Sequence, residues 1–188
     1  MVCAGCSLTG FKIGQRTSVN KHRNAYFCAM KILMVCLGNI CRSPLAEGIL
    51  QDKIKKAHLG WIVDSAGTNG YHVGEAPHPL SQKVALQNGI DISNQRARKF
   101  VAEDFNKFDK IYAMAEDVVY EMKRIAGKKF DESKVDLLMN EVYPGKDKDV
   151  PDPWSGPESG YHLVYKMIDE ATEKIIEKFS VPNTQQLK

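Results

Sequence analysis

The sequence predicts an α/β fold, a four-stranded parallel sheet with helices on both faces. Two observations carry that prediction. Short apolar runs that read as strands alternate with longer segments that read as helices, the pattern of consecutive β-α-β units. The clearest strand run, KILMVCL, is apolar at successive positions, as in a strand covered on both sides.

The first strand is Lys31–Leu37, and a tight loop, Gly38–Ser43, follows it. Ser43 is the expected helix cap and Pro44 the first helical residue, after which Leu45, Ile49, Leu50 and Ile54 recur at helical spacing. Trp61–Ala66 is the second strand, ending at Gly67. Leu80–Asn88 is the second helix, closed by Gly89. Lys110–Ala115 is the third strand, Glu116–Ala126 the third helix, and Lys134–Leu138 the fourth strand. A long loop, Met139–Gly160, holds four prolines. The last helix is Tyr161–Phe179, with Leu163, Met167, Ile168, Ala171, Ile175 and Ile176 on one side. Ligands of such sheets bind beyond the C-terminal ends of the strands. The loop after strand one and the long loop after strand four are expected to meet there.

The chain of 188 residues suits one domain with a sizeable core. Its composition, 43% hydrophobic and 26% charged, is that of a soluble globular protein. No apolar run reaches about 18 residues, so a transmembrane helix and a membrane partner are not expected. Lys12, Arg16, Lys21 and Arg23 are the only charged residues before position 30, and the remainder is near neutral. The folded part therefore lacks the basicity that nucleic acid demands.

The five cysteines, Cys3, Cys6, Cys28, Cys36 and Cys41, all lie in the first quarter of the chain. That is not a disulfide framework; it fits a reducing compartment, and a cytoplasmic location is expected. Residues 1–29 are polar and aperiodic and read as a flexible extension, or as sequence upstream of a natural start at Met30. The domain is then 30–180, with a C-terminal tail over 181–188. Cys3, Cys6, His22 and Cys28 offer four potential zinc ligands, but the His-x5-Cys half does not match a common finger, so no metal is expected.

The chemistry concentrates in Cys36-Leu-Gly-Asn-Ile-Cys-Arg-Ser-Pro44. A loop between a strand and a helix N-terminus points backbone N–H groups at one place, an anion cradle. Arg42 adds a planar fork able to hold two phosphate oxygens. Cys36 stands at the strand end facing the same point, where N–H groups, helix dipole and Arg42 all favour its thiolate. Ser43 is placed to donate to the same sulfur, and Gly38 permits the turn. A thiolate on phosphorus gives a phosphocysteine, and the leaving oxygen then needs a proton. Asp152, stiffened by Pro151 and Pro153, is the candidate acid, with Trp154 as a pocket wall.

C-x5-R-S-P directly after a first strand, with a late Asp152-Pro-Trp154, resembles the low molecular weight protein tyrosine phosphatases. Ser65-Ala-Gly-Thr and Tyr71-His-Val-Gly fit as well, and the likeness covers about residues 30–179. The resemblance implies a phosphate loop between the first strand and first helix. It also implies Cys36 as nucleophile, Arg42 as phosphate and transition-state ligand, and Asp152 as general acid and then base. Asn39 would brace the loop and Ser43 hold the thiolate. Leu37, Gly38, Asn39, Ile40, Cys41 and Ser43 would surround the phosphate. Leu37, Tyr71 and Trp154 would wall a cleft for an aryl phosphate. Some relatives carry Trp where Tyr71 stands, many carry Tyr or Phe where Trp154 stands, and Ser155 replaces a second aromatic of some animal members. The implied reaction is hydrolysis of phosphotyrosine without a cofactor. The implied partner is a phosphotyrosine protein, a tyrosine kinase or its substrate, with inorganic phosphate as product and inhibitor.

Cys41 follows five residues after Cys36 in a loop that curls around one anion, so a reversible Cys36–Cys41 disulfide is expected. His72 is read as ordering loops rather than as a base, His78 as non-catalytic, and Arg96 and Arg98 as solvated or structural. A thiol-dependent arsenate reductase would need further cysteines after Cys41, and none follows. A mere phosphotyrosine-binding module would not need Cys36, Arg42 and Asp152 together.

Overall fold

A computed structural model describes residues 29–180. The expectations for the extension, for the zinc reading of Cys3, Cys6, His22 and Cys28, and for the tail 181–188 lie outside the described residues. Four parallel strands form one sheet: β1 (Lys31–Cys36), β2 (Ile62–Gly67), β3 (Lys110–Ala113) and β4 (Val135–Leu137), in the order β2-β1-β3-β4. Between and after them run α1 (Arg42–Lys56), α2 (Pro79–Gln87), the single turn α3 (Asp104–Lys107), α4 (Glu116–Ala126) and α5 (Glu158–Ser180).

β1 is central, which explains why its sequence is apolar from Ile32 to Cys36. Side chains of a strand alternate between faces. Ile32, Met34 and Cys36 pack in one core with Leu45, Ile49 and Leu50 of α1 and Val164, Ile168 and Ile175 of α5. Leu33 and Val35 pack on the other face with Phe100, Phe105, and Val118 and Met122 of α4. The chain leaves β1 for β2 on one side and returns past it to β3 on the other. The loop after β1 thus stands where the strand order reverses, the place at which open parallel sheets bind ligands.

The element ends differ from the sequence reading for local reasons. β1 stops at Cys36, because the Thr68 and Asn69 N–H groups donate to the carbonyls of Cys36 and Leu37 at 3.0 and 2.9 Å and draw the chain out of the ladder. α1 begins at Arg42 with Cys41 in the cap position, so Ser43 is not the cap. β3 stops at Ala113 rather than Ala115: the Met114 carbonyl accepts from Val150 N at 2.8 Å, and Ala115 caps α4 in extended conformation. α5 starts at Glu158, three residues earlier than Tyr161. α3 has four residues, too few for any periodicity to mark it. At the top of β2, Gly67 lies so close to the loop that a Cβ there would meet the Leu37 carbonyl oxygen at 2.9 Å.

Candidate active site

The loop after β1 is shaped by Asn39, whose φ is +57°. Few side chains accept that region, and Asn is one that does. The turn carries the Asn39 N–H onto Cys36 Sγ at 3.2 Å. Its side chain, in a residue 2% exposed, holds the turn by three bonds. Nδ2 donates to Ser43 Oγ at 2.9 Å and to Ser65 Oγ at 2.8 Å, and Oδ1 accepts from Arg98 N at 2.9 Å. Strain of about 1–3 kcal/mol at such a position is matched by three bonds of about 0.5–1.5 kcal/mol each. The Asn39 side chain thus lies beneath the loop, bonded to Ser43, Ser65 and Arg98, and does not line the cleft.

Ser43, also beneath the floor, receives one amide proton from Asn39, so its own proton is free for Cys36 Sγ at 3.0 Å or the Ala66 carbonyl at 3.4 Å. The shorter contact favours the sulfur. Two donors therefore converge on Cys36, which is the hydrogen bonding a thiolate needs.

Arg42 rises from the first turn of α1 and is 5% exposed. Nη1 donates to the Val150 carbonyl at 3.2 Å and Nη2 to Asp152 Oδ2 at 2.7 Å, while Nε is buried without a protein partner among the described residues. Val150 is fully buried and tied to the end of β3. This places Pro151, Asp152 and Pro153 over the loop. The other Asp152 oxygen accepts from Trp154 N at 3.1 Å, a tight turn that fixes the carboxylate's direction.

These pieces enclose a cleft of about 350 Å³. Cys36, Gly38, Ile40 and Arg42 lie at its base with Cys41; Leu37, Asp152, Trp154 and Ser155 stand around it with Asn69 and His72. Tyr71, expected as a wall, is 86% exposed and outside the lining; its neighbour His72 lines the cleft instead. The imidazole of His72 packs against Gly38 and pairs through Nδ1 with Glu75 at 2.9 Å, so His72 orders loops and also forms a wall. The Trp154 ring leans on His72 (5.4 Å between centroids) and His78 (5.3 Å), and His78 stacks on Tyr161 (5.2 Å). His78 accepts from Leu80 N to cap α2, and burial lowers its pKa. Cys41 is buried with Sγ 3.8 Å from the Tyr161 hydroxyl, and burial pushes its thiol up to about 12. Cys36 and Cys41 are both free thiols.

Arg98 is structural: Nη2 meets Asp64 at 2.8 Å and Nη1 meets Asp104 at 3.1 Å. Among the described residues, Arg96 binds only nearby carbonyls at the surface. In the long loop, Asp149 caps α4 through Glu116 N at 2.9 Å, and Asp147 turns towards Asn140. Neither lines the cleft. Sequence reading assigned nothing to Asn69, Val150 or Glu47, and gave Ser65 no task. Glu47 Oε2 accepts from Ser65 Oγ at 2.6 Å. Burial raises its pKa to about 7, Asp64 adding to the effect, with the Ser65 bond and Arg98 opposing.

Comparisons with known proteins agree with this geometry. The family described as Low molecular weight phosphotyrosine protein phosphatase matches residues 31–185. The human protein of that name is 35% identical over 150 residues, covering 78% of this chain and 94% of that one. The crystal structure of YfkJ from Bacillus subtilis superposes with a TM-score of 0.75 at 33% identity, over 81% of this chain and 95% of that one. A Drosophila arginine phosphatase gives the same TM-score and identity, over 82% of this chain and 100% of that one. With the sheet, the loop after β1 and these likenesses in agreement, the chain belongs to the low molecular weight phosphotyrosine protein phosphatases and is a protein-tyrosine phosphatase.

Proposed function

We propose that Cys36 is the nucleophile, Arg42 the phosphate ligand and Asp152 the general acid and base. The observation that carries the assignment is the convergence of Asn39 N–H and Ser43 Oγ on Cys36 Sγ beneath a cleft into which Arg42 and Asp152 also project. In the first step the thiolate attacks phosphorus, the bond from phosphorus to the phenolic oxygen breaks, and Asp152 gives that oxygen its proton. In the second, Asp152 takes a proton from water as its oxygen attacks phosphorus. The S–P bond breaks, and thiolate and inorganic phosphate are released. Arg42 and the loop N–H groups hold the equatorial oxygens throughout. The buried, unpartnered Nε of Arg42 supports that role, because a phosphoryl oxygen would satisfy it.

Leu37 and Trp154 offer apolar contact to a phenyl ring, and Tyr71 and Val73 on the exposed rim offer it to the polypeptide around the phosphotyrosine. The partner is a phosphotyrosine protein, a tyrosine kinase or its substrate, and inorganic phosphate inhibits as product. The placing of all five cysteines in the first quarter of the chain, unlike a disulfide framework, supports work in the cytoplasm.

Cys36→Ser is expected to abolish turnover while vanadate still binds, because Arg42 and the loop remain. Turnover within tenfold of wild type would remove the nucleophile assignment. Wild type is expected to prefer a phosphotyrosine peptide to a phosphoarginine peptide, the aromatic wall deciding; the reverse preference would overturn the reading of the cleft. The catalytic unit is 30–180, since β1 opens at Lys31 and the Met30 carbonyl already accepts from Ile62 N. Deleting residues 1–29 is expected to leave kcat and Tm unchanged, and a large loss in either would refute that boundary.

A further inference from the structure

We infer that Glu47 is a positioning residue for Cys36, acting through Ser65 and Asn39 so that the state of one half-buried carboxyl on α1 governs the order beneath the phosphate loop. The inference rests on Cys36 as nucleophile. It extends to a residue that touches neither substrate nor sulfur.

The path is continuous. Glu47 Oε2 lies 2.6 Å from Ser65 Oγ, Ser65 Oγ lies 2.8 Å from Asn39 Nδ2, and the same Nδ2 lies 2.9 Å from Ser43 Oγ. Ser43 Oγ lies 3.0 Å from Cys36 Sγ. Each proton on this path can be assigned. An ionised carboxylate only accepts, so Ser65 donates to Glu47 and must accept from Asn39. The second amide proton of Asn39 goes to Ser43, which leaves the Ser43 proton for the sulfur. Arg98 N, donating to Asn39 Oδ1, excludes the flipped amide.

A protonated Glu47 removes that single arrangement. The carboxyl can then donate to Ser65 as well as accept from it, and the Ser65 proton loses its fixed direction. The hold on Asn39 loosens at one end while Arg98 keeps the other. The charged groups facing Glu47 are Asp64 on β2 and Arg98, whose guanidinium is held by Asp64 and Asp104. Burial among them raises the Glu47 pKa to about 7, so the change falls near neutrality. The ionised form is the ordered one, so the reactivity of Cys36 is expected to rise with pH through that point.

The test is the rate at which iodoacetamide alkylates Cys36 between pH 5 and 9, with Cys36 followed by peptide mapping. A neutral reagent carries no titration of substrate, and Asp152 takes no part. Wild type is expected to show an inflection near pH 7 of about three- to tenfold, the weight of one loosened hydrogen bond. Glu47→Gln keeps the size but does not titrate, and Ser65→Ala cuts the path while Glu47 still titrates. Both are expected to lose that inflection. Profiles of both variants that superpose on wild type would overturn the inference, and so would loss in Glu47→Gln alone, which would mean action at a distance rather than through Ser65. Either result leaves the role of Cys36 intact, since that role is read from the turnover of Cys36→Ser.

Discussion

Arg42 and Asp152, 110 positions apart in the chain, are joined by a 2.7 Å bond from Nη2 to Oδ2. Arg42 is buried, whereas the Asp152 side chain is 43% exposed. The cation proposed to hold phosphate is thus already paired with the carboxylate proposed to act as acid. A phosphoryl dianion competes with Asp152 for the same guanidinium. Once the dianion is bound, Asp152 has lost its partner and faces a like charge.

Vanadate should therefore bind Asp152→Asn more tightly than wild type, because the anion no longer displaces a paired carboxylate from Arg42. Calorimetry of both proteins would read the difference. Equal affinity would show that the pair does not compete with the anion.

The leaving group gives a second expectation. Asp152→Ala should slow the phosphorylation step for a tyrosine phosphate by about 10²–10⁴-fold, since a phenolate of high basicity needs the proton. A nitrophenyl phosphate expels a stable anion and should lose less. The burst phase is the observable, because hydrolysis of the intermediate needs Asp152 as base with either substrate. Equal loss in both bursts would shift the acid to another residue.

Much of this site was legible in the residues themselves. Cys36, Arg42 and the loop between them are contiguous, and β1 is marked by its own apolar run. The partnership of Asp152 with Arg42 was legible in part: parallel-sheet topology brings their two loops together and the flanking prolines marked Asp152, but the bond between the two side chains spans the fold and has no local signal. Ser43 was read both as a cap and as a donor to the Cys36 sulfur; the cap falls at Cys41, while the Ser43 hydroxyl lies 3.0 Å from that sulfur. Met114 and Ala115 look like strand, yet a backbone bond from Val150 in a distant loop ends β3 before them. Glu47 reads as an ordinary helix-surface acid until β2 is laid beside α1. Tyr71 has the chemistry of a pocket wall, but its backbone turns it to solvent and His72 inward.

Stability should carry the mark of Glu47. Its native pKa of about 7 lies above the ordinary 4.5, so the native state holds the proton more tightly than the unfolded chain. The stabilisation from that proton is full below about 4.5 and is lost as pH rises to about 7. Glu47→Gln does not titrate. The Tm of the variant minus that of wild type should grow across this window and level off above it. A difference that stays constant with pH would contradict the raised value. The ionised form that orders the loop is therefore the less stable one, a familiar tension at functional sites.

Oxidation should be reversible through Cys41. Peroxide converts the Cys36 thiolate to a sulfenic acid, the Cys41 thiol displaces water from it, and a disulfide forms. Cys41→Ser should keep most of its activity yet recover poorly after peroxide followed by thiol reductant. Mass mapping of oxidised wild type without a Cys36–Cys41 link would remove the protective role.

The phosphoryl group is proposed to pass through Cys36 on its way to water. The direct measurement is rapid acid quench of the enzyme with a ³²P-labelled phosphotyrosine peptide, followed by peptide mapping under conditions that preserve S–P bonds. Label on the peptide containing Cys36 in wild type, absent in Cys36→Ser, is the result expected. Label on any other residue, or full turnover with no labelled enzyme at any time, would contradict it.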